Sequence, residues 1–449
     1  MKRFLIVTFD IVIIYICTML AFLLLKGNLE EIYNFDSPVL FTICAIEAFF
    51  FIVFSYIFGL YNNRRMRLPE VIYTVILISV FMTVGTMAAC YVIQNGTEIF
   101  PIRVLLLSMI FYGIALSVWC TIDWKMAKKR HGIKDVLVIG KNGGTLARHI
   151  EYSHRDSYRV KYICEENDPE LWQKIQDVRT IFLTSKISGN MRDEIFHYAF
   201  EQETTVYFVP KYSDIGVIYA SLSKTDDIPT YRISKLDFAI EERFIKRVFD
   251  LVVSGLATIV FSPVFLIVSL FEKLDGGSVF YTQDRLTKGG KIFKVYKFRS
   301  MVPNAEQLSG PVLADEDDPR ITRLGKLLRA TRMDELPQLF NVLIGDMSIV
   351  GPRPERPFFA DDFTREIPEY HYRLKVKAGL TGLAQIQGKY NTHVTQKLRY
   401  DLMYINQYSI LRDIIIVLQT VKILFMKSST EGLTSLQKDK SANALEIAP

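Results

Sequence analysis

Four apolar runs, near residues 4–25, 39–60, 71–93 and 102–122, constrain the first part of this chain more than any other feature. Each approaches the ~20 residues a helix needs to cross a hydrocarbon core about 30 Å thick. Backbone polar groups find no water there, so the runs are expected as transmembrane helices that satisfy their own hydrogen bonds. Lys2 and Arg3 precede the first run, as in a secretory signal, but the run exceeds the ~7–15 apolar residues of such a signal and no clear small-x-small cleavage site follows. Basic residues gather at the N-terminus, at Arg64, Arg65 and Arg67, and at Lys125, Lys128, Lys129 and Arg130. By the positive-inside rule both ends of the bundle then face the cytoplasm. The opposite loops carry Glu30, Glu31, Asp36 and Glu98, with Lys26 and Arg103 the nearby cations. Asp10 and Glu47 fall inside spans, where an ionisable group is costly and often functional. A helix-packing contact is the plainer reading, and neither is assigned a role.

The remainder has the charge of soluble domains. Charged residues make up 23% of the 449, and the net charge of +6 is too mild for a dedicated nucleic-acid binder. Five cysteines, at 17, 44, 90, 120 and 164, form no C-x-x-C pair and none lies beyond residue 164, so no disulfide frame, zinc knuckle or thiol nucleophile is expected in the C-terminal half. Six histidines without an H-E-x-x-H pattern argue against a zincin.

From Lys134 the chain reads as a buried strand, a glycine turn and a helix start, and further β-rich runs come at 158–164, 180–184 and 205–209 with helical stretches between. This is the pattern of a Rossmann-like α/β unit over 130–236. Its turn, Gly140-Lys141-Asn142-Gly143-Gly144, is G-x-x-G-G rather than G-x-G-x-x-G, so the glycine that admits a pyrophosphate is displaced. A packing or regulatory domain is favoured over a dinucleotide site.

Charged residues 241–247 introduce a second apolar stretch, 248–271, broken at Ser262-Pro263. Proline removes a backbone donor in mid-helix and its ring clashes with the preceding turn, at about 3 kcal/mol, which favours a sharp kink. A re-entrant helix that dips in and returns is one reading, with Ser262 helping to satisfy the freed backbone. The other is a kinked fifth span, which would put everything after it outside the cell.

Beyond the kink, Lys294 to Met301 alternates apolar and basic positions like a strand. Asp315-Glu316-Asp317-Asp318-Pro319 reads as a solvated turn, and Arg320, Arg323, Lys326, Arg329 and Arg332 recur every third residue, a basic spiral if helical. Asp334-Glu335-Leu336-Pro337 follows, with Asp334 a good N-cap and Pro337 tolerable in the first turn. Two adjacent carboxylates, a helix N-terminus that attracts anions, five cations and a membrane-dipping helix together suit a phosphate-bearing substrate that meets a lipid. Residues 410–426 read as an interfacial or a core helix.

At these residues the sequence resembles the bacterial sugar transferases, the large monotopic phosphoglycosyl transferases. The resemblance is carried by the Ser262-Pro263 break, K-F-R-S-M, D-P-R-I-T-R-L-G, D-E-L-P-Q-L-F-N-V, G-D-M-S-I-V-G-P-R-P-E and G-L-T-G-L-A-Q, between Arg243 and Asp413. It implies a multidomain membrane protein: a four-helix transmembrane bundle (1–125), the Rossmann-like domain (130–236), a monotopic α/β catalytic domain (243–427) with a kinked re-entrant helix, and a polar tail (428–449). It also implies transfer of a sugar phosphate from a UDP-sugar to polyprenyl phosphate, with Mg²⁺, at the cytoplasmic face of a bacterial inner membrane. By the same resemblance Asp334 is the nucleophile, Glu335 its companion in holding Mg²⁺, and Lys297, Arg299, Arg329, Arg353, Lys389 and Asp401 are substrate-binding residues. The physical logic is that a carboxylate attacking a doubly charged diphosphate needs a divalent cation to neutralise the oxygens and leaving group. A homo-oligomer is the expected assembly, and no nucleic acid is expected as a partner. The chain departs from the family's usual Gly and Pro at Thr287 and Ala378, and has Lys389, a point charge, where an arginine fork is common.

Two rival readings remain. A membrane-anchored nucleotide-sugar dehydratase needs G-x-G-x-x-G and a helical Y-x-x-x-K; Tyr207 and Lys211 have the spacing, but their surroundings are β-like and Pro210 intervenes. A catalytically dead polysaccharide-assembly scaffold would not need the intact Asp334-Glu335.

Overall fold

The computed structural model describes residues 2–29, 37–61, 66–93, 102–154, 156–233, 236–274, 278–302, 318, 320–388 and 392–424. Lys389, the polar tail 428–449 and Asp315 to Asp317 lie outside them. The chain forms two compact units, Met1–Lys211 and Tyr212–Pro449.

The first unit opens with four long helices, α1 (Lys2–Leu29), α2 (Ser37–Ile57), α3 (Leu68–Ile93) and α4 (Ile102–His131), all long and apolar enough to cross a membrane. Helix α4 packs against α1 and α3, and α2 against α3. The two acids within these helices reach other segments: Asp10 Oδ2 accepts from Tyr61 OH, just past α2, at 2.9 Å, and Glu47 Oε2 on α2 accepts from Thr18 Oγ1 on α1 at 2.6 Å. Thr83 and Tyr112 add a hydroxyl contact between α3 and α4.

The chain then alternates β1 (Lys134–Ile139), α5 (Gly143–His154), β2 (Tyr158–Cys164), α6 (Leu171–Gln176), β3 (Thr180–Leu183), α7 (Gly189–Glu201) and β4 (Thr205–Phe208). The four strands form one parallel sheet in the order β2-β1-β3-β4. Val136 to Ile139 are fully buried, because a parallel strand covered on both faces must be apolar throughout. Gly140 has φ +112°, and a Cβ there would lie 2.3 Å from Thr184 Oγ1. This turn glycine thus has a packing reason of its own, close approach to the neighbouring strand's end.

In the second unit α8 (Tyr212–Ile218) precedes an antiparallel hairpin, β5 (Ser221–Thr225) and β6 (Ile228–Arg232). Residues 212–233, expected to close the middle domain, therefore cluster with the second unit. The apolar stretch forms α9 (Ile240–Val260) and α10 (Ser262–Leu274), bent by 59° at the break. Ser262 Oγ donates to Ile259 O at 2.7 Å, satisfying a carbonyl freed there. Strands β7 (Phe280–Leu286) and β8 (Ile292–Phe298) pair antiparallel. Then come α11 (Arg323–Ala330), α12 (Gln338–Ile344), β9 (Met347–Val350), α13 (Pro357–Glu366), a 3₁₀ helix (Pro368–Lys375), β10 (Ala378–Thr381), α14 (Leu383–Gln387), α15 (Val394–Asn406) and α16 (Ile410–Leu424). Strand β10 runs parallel to β9, and Val295, Leu339, Val342, Met347, Ile349, Val350 and Tyr404 share one core.

Helix α9 is two-faced. Lys246, Asp250 and Ser254 are buried, whereas Phe244, Ile245, Val248, Val252, Leu256 and Ile259 are exposed. The spacing of four residues puts the polar set on one side. That side is bolted to the unit: Lys246 Nζ lies 2.6 Å from Asp413 Oδ2 on α16, and Arg247 donates to the carbonyls of Val342 and Leu343 at the C-terminus of α12. Asp250 Oδ1 accepts from Ser348 Oγ and Ile349 N on β9, each at 2.9 Å.

Candidate active site

The acidic pair sits on a short 3₁₀ turn, Met333–Glu335, between α11 and α12. Asp334 is not the N-cap of α12: Pro337 occupies that position, and Leu336 stands between it and the acidic pair. Arg332 ahead of the turn takes a left-handed φ of +55°, which swings the chain sharply between the two elements. The basic spiral is shorter than the spacing implied. Only Arg323, Lys326 and Arg329 ride on α11, Arg320 is paired with Asp318, and Arg332 belongs to the turn.

Glu335 is held by two cations. Lys297 Nζ on β8 lies 2.9 Å from Oε1, and Arg353 Nη2 lies 2.5 Å from the same oxygen. Burial pushes this carboxyl up, but the charges and hydrogen bonds of Arg353 and Lys297 outweigh it and hold the group well below the usual carboxylate range. Asp334 is shifted the other way. Burial and the adjacent Glu335 charge raise it, with Lys297, Arg329 and Arg353 pulling in opposition. Arg329, in the last turn of α11, donates Nε to Ser300 Oγ at 2.9 Å. Two neighbouring carboxylates are thus driven apart, one tied into ion pairs and the other, among the described residues, facing three cations without pairing with one. Such a site can receive an anion and present Asp334 to it.

Two of the residues expected here have other partners. Arg299, 7% exposed, gives Nε to Glu272 Oε2 on α10 at 2.8 Å, so it ties the bent helix to β8. Asp401 on α15 is 2% exposed and accepts from Arg373 Nε at 2.9 Å. Through these pairs both support the surrounding frame. Their partners, Glu272 and Arg373, carry no sequence signal of their own, whereas the spacing of Lys246, Asp250 and Ser254 is visible in the sequence.

Among the described residues no three metal-binding His, Cys, Asp or Glu side chains converge. The Asp334 and Glu335 pair nevertheless suits Mg²⁺, which commonly takes one or two carboxylates and completes its shell with substrate phosphates and water.

Thr287 and Ala378, where the sequence departs from the usual Gly and Pro, meet each other. Ala378 N donates to Thr287 Oγ1 at 3.2 Å, and that hydroxyl donates to Asp346 O at 2.7 Å. A proline would bring no N–H and a glycine no acceptor, so the two departures compensate.

A family model described as bacterial sugar transferase matches residues 241–427. Among curated relatives, the UDP-N-acetylgalactosamine-undecaprenyl-phosphate N-acetylgalactosaminephosphotransferase of Aeromonas hydrophila is 44% identical over 185 residues, covering 40% of this chain and 44% of that protein. The undecaprenyl-phosphate galactose phosphotransferase of Salmonella typhimurium is 38% identical over 201 residues, 41% of each chain. The UDP-glucose:undecaprenyl-phosphate glucose-1-phosphate transferase of Caulobacter vibrioides is 42% identical over 187 residues, 40% of this chain and 69% of that protein. The match thus spans under half the length of the first two relatives.

Proposed function

This chain belongs to the bacterial sugar transferase family, and from that premise we propose that it moves a sugar-1-phosphate from a UDP-sugar to undecaprenyl or another polyprenyl phosphate, releasing UMP. The observation that carries the proposal is the opposed setting of Asp334 and Glu335 among Lys297, Arg329 and Arg353. In the first step an Asp334 carboxylate oxygen attacks the β-phosphorus, the bond to the bridging oxygen breaks, and UMP leaves with that electron pair. In the second, a phosphate oxygen of the polyprenyl phosphate attacks the same phosphorus, the aspartyl–phosphorus bond breaks, and Asp334 is restored as a carboxylate.

Lys297 and Arg353 keep Glu335 ionised, and Arg329 and Arg353 offer cations to the phosphoryl oxygens as charge develops. Asp334 and Glu335 would hold Mg²⁺, which when bound neutralises the diphosphate and its leaving group. The bent pair α9–α10 is read as re-entrant. Its polar face is docked on the catalytic unit and its apolar face is free, which suits a helix lying in one leaflet rather than crossing. The basic residues flanking the four spans support the further reading that the site works at the cytoplasmic face of the inner membrane, where nucleotide sugars are made. The parallel-sheet domain is read as Rossmann-like and as a packing or regulatory unit. The reaction would be the first membrane step of capsular or exopolysaccharide synthesis.

The three relatives are named for three sugars, so the test uses a panel of UDP-sugars with polyprenyl phosphate. UMP release by the full chain that is lost in Asp334→Asn and on removing Mg²⁺ supports the reading. Release of UDP instead, or undiminished release by the amide variant, refutes it.

A further inference from the structure

The Pro352–Arg353–Pro354 segment presents a mechanical problem. Two of its three residues lack an N–H, so they cannot donate to a strand ladder. It is held instead by its carbonyl oxygens, all three in succession. Pro352 O accepts from Gly379 N at 2.8 Å, Arg353 O from Arg373 Nη2 at 2.8 Å, and Pro354 O from Arg285 Nη1 at 3.1 Å. The two arginines are anchored in turn. Arg373, 7% exposed, spends Nε on Asp401 Oδ2 at 2.9 Å and Nη1 on Tyr370 OH at 2.7 Å. Arg285 gives Nη2 to Gln283 Oε1 at 2.7 Å. A guanidinium carries its donors in one fixed plane, so the two anchored nitrogens of Arg373 fix the direction of its third, and the Gln283 bond restricts the plane of Arg285.

We infer that Arg285 and Arg373 are positioning residues: they clamp the Pro352–Arg353–Pro354 backbone so that the Arg353 side chain, otherwise free to swing in solvent, is delivered to Glu335 and the substrate phosphate. Asp401 acts through Arg373, at one remove from the chemistry. The inference rests on the transferase reading of the site. It accounts for why an acid 2% exposed belongs to a motif-bearing segment without reaching the acidic pair. It also assigns work to two arginines that the motifs do not single out.

The test is a double-mutant cycle with a structural arm. Asp401→Asn keeps the volume and removes the charge, and Arg285→Lys is the second variant should the first not fold. Each is measured for UMP release in the wild-type and Arg353→Ala backgrounds, and for amide hydrogen exchange across residues 351–356 in the full chain reconstituted in lipid. If the clamp acts through Arg353, the variant lowers kcat/KM by about tenfold or more where Arg353 is present and by less than about twofold where it is absent. Exchange across 351–356 accelerates at least about tenfold while β9 is unchanged. Equal losses in both backgrounds overturn the inference, because a general structural role is indifferent to Arg353. Unchanged exchange in the segment overturns it too. A wild type that releases no nucleotide with any UDP-sugar refutes the transferase reading, and the exchange arm then still decides whether the clamp exists.

Discussion

Asp250 offers a sharp test of how the bent helix meets the catalytic unit. It lies within a stretch that, on hydropathy alone, is long enough to span a membrane, and there an aspartate is a liability that leucine would relieve. In the structure the same carboxylate is 2% exposed and accepts two hydrogen bonds on Oδ1, from Ser348 Oγ and Ile349 N. Replacing Asp250 by Leu leaves both buried donors without an acceptor, at about 1–3 kcal/mol each, or about 2–6 kcal/mol together. Asp250→Asn keeps an oxygen at the same place and gives up only the charge assistance, about 1–2 kcal/mol for the two bonds. The three tryptophans lie at 119, 124 and 172, all in the first unit, so fluorescence would miss the effect. Amide exchange over Met347–Val350 reads it directly. At 1.36 kcal/mol per decade, Asp250→Leu accelerates that exchange by roughly 30-fold to 10⁴-fold and Asp250→Asn by about 10-fold. Unchanged or slower exchange in the leucine variant would refute the docked, two-faced helix and favour a span surrounded by lipid.

Three further expectations follow from the same geometry. Glu272→Gln takes the carboxylate from the buried Arg299–Glu272 pair and lowers stability by about 3–5 kcal/mol, while adding Arg299→Gln recovers part of it; an additive double variant, measured by thermal midpoint, would count against the pair. Thr287→Gly orphans the Ala378 N–H at about 1–3 kcal/mol, and Ala378→Pro on top of it restores stability, whereas equal losses in single and double variants would deny the compensation. Arg353→Lys gives up a planar fork for a point charge and slows sugar-phosphate transfer by about tenfold or more with the melting midpoint held, and full activity would remove Arg353 from the site.

The sequence discloses different parts of this chain unequally, for physical reasons. Long apolar runs and parallel strands announce themselves because a membrane core and a doubly covered sheet both demand unbroken hydrophobicity, as in Phe4–Leu25 and Val136–Ile139. The β5–β6 hairpin is invisible by that test, since Ser221 to Thr225 are exposed on both faces and need no apolar alternation. Among the site residues, Asp334, Glu335, Lys297, Arg329 and Arg353 are brought together around the 3₁₀ turn. Arg299 and Asp401 could not be sorted from them by spacing, because their partners lie 27 and 28 residues away and depend on tertiary packing. The positive φ at Arg332, which cuts the basic series short, likewise follows from chain direction rather than from any residue preference.

The central claim is that Asp334 itself carries the sugar phosphate between donor and lipid. Intact-protein and peptide mass spectrometry of enzyme quenched in acid with UDP-sugar and Mg²⁺, before lipid is added, tests it most directly. The account predicts an added sugar-phosphate mass on the peptide containing Asp334, discharged by polyprenyl phosphate and missing in Asp334→Asn. Nucleotide release and lipid loading with no adduct under conditions that preserve acyl phosphates, or an adduct on another residue, would contradict it.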